Sequence, residues 1–280
     1  LVLVLLSGGG SALLPYPVEG LSLQDKILIN KQLIESGADI KEINAVRKHL
    51  SQIKGGNLVK LTHPSKVHCL ILSDVVGDDL SSISSGLTSP DPSTFNETKD
   101  ILLKYKLWKR IPANVQTYIK KGIKDKKLET PKINNKIFSN VKNSIIGSNY
   151  LCLKSIHDFC KEKQIKSKIW FKNIEIDVKK LSVNFYQHLK KQNITKPIVL
   201  ISGGETTVNI KGNGKGGRNQ EFALHFLKVM KNKLPKQKYF LLSAGTDGRD
   251  GPTNAAGAII NDQTYKSLKD KNINLEEELK

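Results

Sequence analysis

Short aliphatic runs recur along the chain, and each one leads into a segment rich in glycine, serine or aspartate. The runs read LVLVLL at residues 1–6, VHCLIL at 67–72, IVLI at 198–201 and YFLLSA at 239–244. Continuous apolar runs of this length are typical of strands that are buried on both faces of a parallel sheet. We therefore predict four buried strands in an α/β fold of open, mostly parallel sheets with flanking helices.

Helical patterns with polar caps lie between these strands. Ser22 and Asp25 have the spacing of a capping box ahead of LQDKILINKQLIES, and Asp39 precedes IKEINAVRKHLSQI, whose apolar residues share one helical face. A third pattern, EFALHFLKVM, begins at Glu221. The alternation of strands and helices supports the α/β class. At 280 residues the chain accommodates two domains around a cleft, or one large α/β domain.

The stretch from Ile198 to Glu221 concentrates the features of an anion-binding site. Two glycines after the apolar run are predicted to turn the chain and to leave Glu205 at the mouth of the turn. A second glycine-rich loop at 212–217 leads into Arg218, where a helix N-terminus would favour a phosphate or a carboxylate. A glycine-rich hairpin or an ordinary helix entry is an equal alternative. The match to the dinucleotide fingerprint lacks the acidic residue that is expected about twenty residues later.

Two further loops follow predicted strands in the same way. SGGGS at residues 7–11 offers consecutive backbone N–H groups that can form an anion-binding nest. Asp74, Asp78 and Asp79 stand together after the second strand, and clustered carboxylates favour a divalent cation or an incoming hydroxyl as their partner. The alternative is that they cap the segment that follows. We expect the polar segment SSISSGLTSPDPST to form a wall of the same site.

Charge and cysteine content narrow the class of protein. The net charge is +19, but most of the positive charge is lysine spread over predicted helix faces, which predicts a solvated surface without nucleic-acid binding. Three cysteines without metal-ligand spacing predict buried thiols in a reducing compartment. The opening LVLVLL lacks a basic leader, and no apolar run is long enough to cross a bilayer. We therefore predict a cytoplasmic protein without membrane binding, and the initial leucine suggests that the natural N-terminus is missing.

The loops together resemble a known family. SGGGSALLPYP, INAVRKHLSQIKGG, SDVVGDD, SSGLTSPDPST, GGETTV, GKGGRNQE and AGTDGRDGPTNAAGAI are similar, in this order, to the glycerate 2-kinases that carry a C-terminal MOFRL domain. The resemblance covers most of the chain. It implies a kinase that uses ATP and Mg²⁺ to phosphorylate the 2-hydroxyl of D-glycerate, in a site between two α/β domains. It also implies a partial glycerate-kinase domain at residues 1–195 and a partial MOFRL domain at 196–280.

The resemblance also implies roles for individual residues. Arg218, Asp74 and Lys54 would be catalytic, and Asp74 with Glu205 would hold the metal. For Arg47 and Lys54 taken alone, ordinary charge on a helix surface outweighs a functional interpretation. The remaining predicted residues are Gly8, Gly9, Gly10, Ser11, Gly203, Gly204, Gly214, Gly216, Gly217 and Asn219 for phosphate or nucleotide binding, and Arg47, Asp78, Asp247 and Asp250 for substrate binding.

The chain departs from the family pattern in three places. The family's N-terminal region, with a GKA-type lysine, and its C-terminal TGPT-TN segment are absent, and residues 86–88 read GLT where the family usually reads SGPT. Two alternatives therefore stay open beside the kinase. One is a hydroxypyruvate reductase dependent on NAD(P)H, and the other is a remnant that binds a nucleotide or a sugar acid without turnover. A homo-oligomer is also left open.

Overall fold

A computed structural model describes residues 1–192, 194–210, 212–231 and 238–279. Contacts divide the chain into two compact units, which we call unit 1 (Leu1–Cys152) and unit 2 (Leu153–Lys280). This boundary at residues 152 and 153 lies earlier in the chain than the predicted boundary at 195 and 196, because the strand at Ser167–Ile174 pairs with the strand at Val199–Gly204. The assignment of residues 1–195 and 196–280 to two domains of the resembled family stays a prediction.

Unit 1 contains a three-stranded parallel sheet. Its strands are β1 (Val2–Leu6), β2 (Val67–Leu72) and β3 (Val141–Gly147), in the order β1-β2-β3. The helices of unit 1 are α1 (Gly10–Leu13), α2 (Leu23–Glu35), α3 (Ile40–His49), α4 (Asn57–Thr62), α5 (Phe95–Lys104) and α6 (Ala113–Lys124), with short 3₁₀ helices at Ile83–Ser85, Lys126–Leu128 and Lys136–Asn140.

The prediction that β1 is a buried strand is wrong. β1 is an edge of the sheet, and Leu3 and Leu5 are 59% and 70% exposed, whereas Leu6 is buried. The central strand β2 does bury alternate residues at Val67 and Cys69. Edge position is a property of the assembled sheet, so an apolar run alone did not reveal it.

Local capping signals place the helices of unit 1 as predicted. Ser22 accepts the backbone N–H of Asp25 and forms a capping box at the start of α2, and Asp39 does the same for α3 with Glu42. The apolar faces of α2, α3, α5 and α6 then pack into one core cluster. Its fully buried members are Ile29, Leu33, Ile43, Val46, Leu50, Phe95, Leu102, Leu107, Ile111, Val115 and Ile119.

Unit 2 contains two separate pairs of strands. β4 (Ser167–Ile174) and β5 (Val199–Gly204) are parallel, whereas β6 (Phe240–Ala244) and β7 (Gly257–Asn261) are antiparallel. The helices of this part of the chain are α7 (Asn149–Glu162), which begins four residues before the division, α8 (Val178–Lys191), α9 (Arg218–Met230) and α10 (Thr264–Asp270).

The predicted burial of the strands in unit 2 is also wrong. Val199 in β5 is 38% exposed, and Phe240 and Leu242 in β6 are 78% and 67% exposed. The core of unit 2 lies instead between α8 and α9, where the rings of Phe185 and Phe222 meet edge to face with centroids 5.4 Å apart. Within the described ranges, no helix has the length and apolar character that a membrane span requires.

Candidate functional site

Lys54 is buried beside the glycine loop of residues 8–11. Its ammonium donates to the carbonyl oxygens of Gly10 at 3.3 Å, Ser11 at 2.9 Å and Ser84 at 3.5 Å, and the residue is 1% exposed. The surface-charge interpretation of Lys54 is therefore wrong. These contacts bring together residues that are 43 and 44 positions apart, as the prediction of a shared site requires.

The glycine loop needs glycine because Asp74 and Ser84 pack directly against it. A Cβ at Gly8 would lie 2.6 Å from Asp74 Oδ2, and a Cβ at Gly10 would overlap the hydroxyl of Ser84. Gly9 has a φ of 82°, which a side chain rarely adopts. The loop is thus shaped by the close approach of these neighbours, and it places the Asp74 carboxylate beside the predicted phosphate-binding residues.

The serine segment closes the other side of this loop. Ser84 and Ser85 have φ values of 50° and 59°, in the left-handed region, where a residue with a side chain is strained. Ser85 shares a hydrogen bond with Ser11 at 3.0 Å and donates to the Asn44 side chain at 3.1 Å, whereas the buried Ser84 hydroxyl has no partner among the described residues. Backbone strain of this kind persists only where the surrounding contacts hold the residue in place, and it is common at functional sites.

A cleft of about 470 Å³ opens beside the glycine loop, and its lining includes the cationic residues Lys26, Arg47 and Lys54, with a fourth, the exposed Lys31, beside Glu35. Arg47 donates to Asn30 at 2.6 Å and to Asn44 at 3.5 Å. The Lys26 ammonium is excluded from solvent and has no hydrogen-bond partner in the described part of the chain. We call this cavity the cationic cleft; it is lined by Ser11, Ala12, Pro15, Leu23, Lys26, Ile27, Asn30, Lys31, Ile34, Glu35, Arg47 and Lys54.

Burial and mutual repulsion lower the pKa values of these cations. Burial, with smaller contributions from Lys26 and Arg47, lowers the pKa of Lys54 to about 7, although its three carbonyl partners favour the charged form. Burial and then Arg47 lower the pKa of Lys26 to about 8, and burial also lowers the pKa of Arg47. The cleft therefore concentrates positive charge that its own acidic groups do not balance.

The predicted acidic residues of unit 1 have different environments. Asp74 lies against the glycine loop, as described above, and is exposed. Asp78 has a φ of 56° at the turn that follows. Asp79 accepts from the Ser81 backbone at 3.0 Å and from the Ser82 hydroxyl at 2.7 Å, so its carboxylate is held within its own turn. The 3₁₀ helix that follows has Ser82 at its N-cap and no side-chain cap bond, so the capping alternative is wrong, and the substrate role of Asp78 stays a prediction.

In unit 2, Arg218 is the first residue of α9, so the helix begins three residues before the predicted pattern at Glu221 and directly after the glycine-rich loop. Its Nη1 donates to Glu205 Oε1 at 2.8 Å and to the Thr206 carbonyl oxygen at 3.0 Å. Both charged side chains are largely exposed, so the pair contributes little to stability and leaves the guanidinium accessible. The structure thus brings the predicted catalytic arginine and the predicted metal ligand into contact.

The N-terminus of α9 is occupied by a carboxylate of the protein itself. Asp250 is buried, and it accepts the backbone N–H groups of Asn219 at 3.0 Å and Gln220 at 2.9 Å. Burial raises the pKa of Asp250, but these backbone N–H groups outweigh that effect and hold it below its ordinary value. Gly217 allows this approach, because a Cβ there would overlap the Asp250 carboxyl. The phosphate and substrate roles of Asn219, Gly217 and Asp250 stay predictions, and the contacts of Asp250 fix its loop to the start of α9.

The remaining predicted residues of unit 2 lie in a strand and two loops. Gly203 and Gly204 belong to β5, so the predicted turn begins later than expected, and a Cβ at Gly204 would overlap the backbone of Ile174 in β4. Around Gly216 there is open space, and Gly214 lies in the same loop. Asp247 accepts the backbone N–H of Arg249 at 3.2 Å. Their roles in binding stay predictions.

Within the part of the chain that the structure describes, the acidic residues predicted to bind a metal do not form a cluster in either unit. Among the described residues, no group of three or more His, Cys, Asp or Glu side chains is arranged to hold a metal. The predicted pair of Asp74 and Glu205 has one member in each unit, so this pair, and the single cleft that was predicted around it, stay predictions.

Sequence reasoning missed two residues of these sites. Lys26 lies one helical turn before Asn30 on α2, so both side chains face the cationic cleft. Nothing in the local pattern distinguishes Lys26 from the many exposed lysines of the chain. Gln220 adds a side-chain bond to Asp250 at 3.1 Å, and its place at the start of a helix was the available signal.

Family models match both ends of the chain. A model described as a domain of unknown function, DUF4147, matches residues 1–120, and the model of the MOFRL family matches residues 198–280. Together these matches contain the glycine loop of residues 8–11 and Lys54 in unit 1, and Glu205 and Arg218 in unit 2.

The chain is similar to proteins described as glycerate kinases. It is 41% identical over 286 residues to the glycerate 2-kinase of Pyrococcus horikoshii, covering 100% of this chain and 63% of the relative. It is 41% identical over 273 residues to the D-glycerate 2-kinase of Thermotoga maritima, covering 96% and 62%. The glycerate kinase of Macaca fascicularis is 34% identical over 303 residues, with 93% of this chain and 75% of the relative covered.

Solved structures confirm the predicted α/β fold class. The crystal structure of glycerate kinase from Thermotoga maritima matches with a TM-score of 0.88 at 39% identity, covering 99% of this chain and 64% of that chain. The crystal structure of a Pyrococcus horikoshii protein matches with a TM-score of 0.83 at 40% identity, covering 99% and 63%. The chain therefore spans slightly less than two thirds of the length of these relatives.

Proposed function

Because this chain belongs to the glycerate kinase family, as its motifs predicted, we propose that it is part of a kinase that transfers the γ-phosphate of ATP to the 2-hydroxyl of D-glycerate. The product is 2-phosphoglycerate, and the enzyme acts in the cytoplasm. The two relatives at 41% identity are described as a glycerate 2-kinase and a D-glycerate 2-kinase, which supports the position of transfer.

The observation that carries the proposal is the cationic cleft beside the glycine loop. Phosphoryl transfer requires positioning of the reactants and neutralisation of charge more than covalent chemistry by the protein. The loop of residues 8–11 meets Lys54 in the fold, and Arg47 lines the same cleft. The Lys26 ammonium, which is buried and has no partner among the described residues, fits an anionic ligand, because an uncompensated buried charge is costly until an opposite charge joins it.

Lys54, Asp74 and Arg218 would have different roles in the proposed reaction. The ammonium of Lys54 is bound to carbonyl oxygens of the glycine loop, so Lys54 acts by positioning that loop. Asp74 presents an exposed carboxylate beside Gly8. Arg218 is accessible and neutralises charge that develops on the transferred group. The paired Glu205 keeps the guanidinium oriented at 2.8 Å.

The exposed carboxylates of Asp74 in unit 1 and Glu205 in unit 2 are each of a kind that Mg²⁺ binds. Mg²⁺ commonly binds one or two carboxylates and completes its shell with water and substrate phosphates, so neither residue needs a larger acidic cluster around it. When bound, the ion neutralises phosphate charge. Neither carboxylate is buried, although Glu205 Oε1 already accepts from Arg218.

The test is a coupled assay with ATP and D-glycerate on the full-length protein, with the product identified by phosphorus NMR. We expect ADP and 2-phosphoglycerate, and formation of 3-phosphoglycerate would contradict the position of transfer. Arg218→Ala should lower turnover by about 10³-fold or more, the effect expected for loss of a transition-state arginine. Arg249→Ala, which removes an exposed loop arginine, is the control. Oxidation of NADPH by hydroxypyruvate without ATP would instead support the reductase.

A further inference from the structure

The Lys26 ammonium is a buried cation that the fold does not satisfy. Lys26 lies in the first half of α2, its Nζ is excluded from solvent, and no described residue accepts a hydrogen bond from it. The neighbouring cations differ in this respect, because Arg47 binds Asn30 and Lys54 binds Ser11. An unpaired buried charge is costly, so a sequence that retains one at a cleft points to a partner that arrives from outside.

The walls of the cationic cleft do not supply that partner. The one acidic residue among those that line it is Glu35, which lies 3.7 Å from Lys31 on the same helix. Both of those side chains are mostly exposed to solvent. The positive charge of Lys26 and Arg47 therefore has no balancing carboxylate at the cleft.

We propose that Lys26, acting with Arg47, binds the oxyanion of a ligand in the cationic cleft, either the carboxylate of a sugar acid or a phosphate of a nucleotide. The identity of these ligands rests on the proposed kinase function. The cleft volume of about 470 Å³ accommodates either molecule, and Ser11 of the glycine loop lies on the same lining. Its apolar wall, from Leu23, Ile27 and Ile34, faces the uncharged part of the ligand.

The test measures binding of ATP and of D-glycerate separately, by calorimetry, to the full-length protein. Lys26→Met keeps the length of the side chain and removes its charge, and we expect Kd to rise about tenfold for the ligand whose oxyanion Lys26 binds. Lys26→Arg should restore most of the affinity. Lys41→Met on α3, an exposed lysine outside the cleft, is the matched control and should leave both Kd values unchanged.

Thermal unfolding without ligand distinguishes ligand binding from a structural role. Loss of an unsatisfied charge should leave the Tm of Lys26→Met unchanged or raise it, whereas loss of a structural lysine would lower it. Lys26→Gln is a second variant in case Lys26→Met does not fold. Unchanged Kd values for both ligands in a folded Lys26 variant would overturn the proposal.

Turnover by the wild-type protein tests the proposed kinase function independently of the role of Lys26. If the wild-type protein turns over ATP and D-glycerate while Lys26→Met keeps the same Kd for both, the inference fails and the proposed function stands. If the wild-type protein shows no turnover but binds one ligand through Lys26, the proposed function fails and the oxyanion site stands. In both cases Lys41→Met reports whether removal of any lysine has a general effect.

Discussion

Asp250 caps the N-terminus of α9 although it lies 31 positions after Asn219 in the chain, and its Oδ1 is 3.0 Å from the Asn219 backbone nitrogen. The second oxygen accepts the backbone N–H of Gln220 at 2.9 Å. Free N–H groups at a helix N-terminus attract anions, and here the chain supplies the anion itself. The loop that contains Asp250 is thereby fixed to α9.

Removal of this cap should destabilise unit 2. We expect Asp250→Ala to lower the free energy of unfolding by about 2 kcal/mol, because it leaves several partly buried donors without their acceptor. Urea denaturation with a fixed m-value measures the change. Asp247→Ala in the same loop is the control and should change it by about 0.5 kcal/mol or less, since Asp247 is exposed. Equal effects of the two substitutions would contradict the capping role.

Two glycines of the predicted phosphate loops should respond differently to alanine. Gly204 has a φ of 149° and packs on Ile174, so Gly204→Ala should separate β4 from β5 and lower stability by about 3 kcal/mol or more. A Cβ at Gly216 meets nothing within 4 Å, so Gly216→Ala should leave stability nearly unchanged. Circular dichroism during thermal unfolding compares the two. Wild-type stability in Gly204→Ala would show that β5 can move away from β4.

Glu129 should make unit 1 sensitive to acid. Burial raises the pKa of its carboxyl, but the hydrogen bond and charge of His49, together with Lys132, outweigh burial and lower the pKa to about 2. Because the folded value lies below the ordinary value of 4.5, the stabilisation is fully present above about pH 4.5 and is lost as pH falls towards about pH 2.

The variant Glu129→Gln tests this dependence. We expect it to lower stability by about 2 kcal/mol at neutral pH, after allowance for partial exposure, and the difference from wild type should disappear near about pH 2. Urea denaturation over a series of pH values is the measurement. Glu97→Gln, which changes an exposed carboxylate at the start of α5, is the control. A stability difference that is constant with pH would exclude the proposed origin.

Binding of an anion to the cationic cleft should take up protons in mildly alkaline solution. The pKa values of Lys54 and Lys26 are lowered to about 7 and about 8, so both lysines are partly neutral at about pH 8.5. A bound anion raises both values, which protonates them, whereas at about pH 6 they are already charged and no uptake is expected. The neighbouring Arg47 stays charged throughout, and the exposed Lys31 faces Glu35.

Calorimetry in buffers of different ionisation enthalpy measures this uptake. ATP and D-glycerate are the ligands, and the Lys26→Met variant should take up fewer protons than the wild-type protein at about pH 8.5. Proton release on binding at about pH 8.5, or an uptake that is the same at about pH 6, would contradict the lowered pKa values.

Much of the local structure was predictable from a few neighbouring residues. The starts of α2 and α3 follow from Ser22 and Asp39, because a helix cap of this kind involves groups within about three positions of one another. The antiparallel strand β7 at Gly257–Asn261 was not predicted, because its two β-branched residues, Ile259 and Ile260, are too short a run to indicate a strand without the pairing to β6. The glycine loops were found because turns and close approaches need glycine whatever their function.

The order of strands and helices, the helix starts and the family motifs are written in short segments of this chain, because propensity and capping act between near neighbours. The burial of a residue cannot be predicted from such segments, because the exposed Leu5 and the buried Cys69 occupy similar apolar runs, one in an edge strand and the other in a central strand. The tertiary structure alone decides that Lys54 is buried against the glycine loop and that Asp250 lies at the N-terminus of α9. It also leaves the Lys26 ammonium without a partner among the described residues. Each depends on contacts across tens of residues, and a charge in a protein acts according to what surrounds it in space.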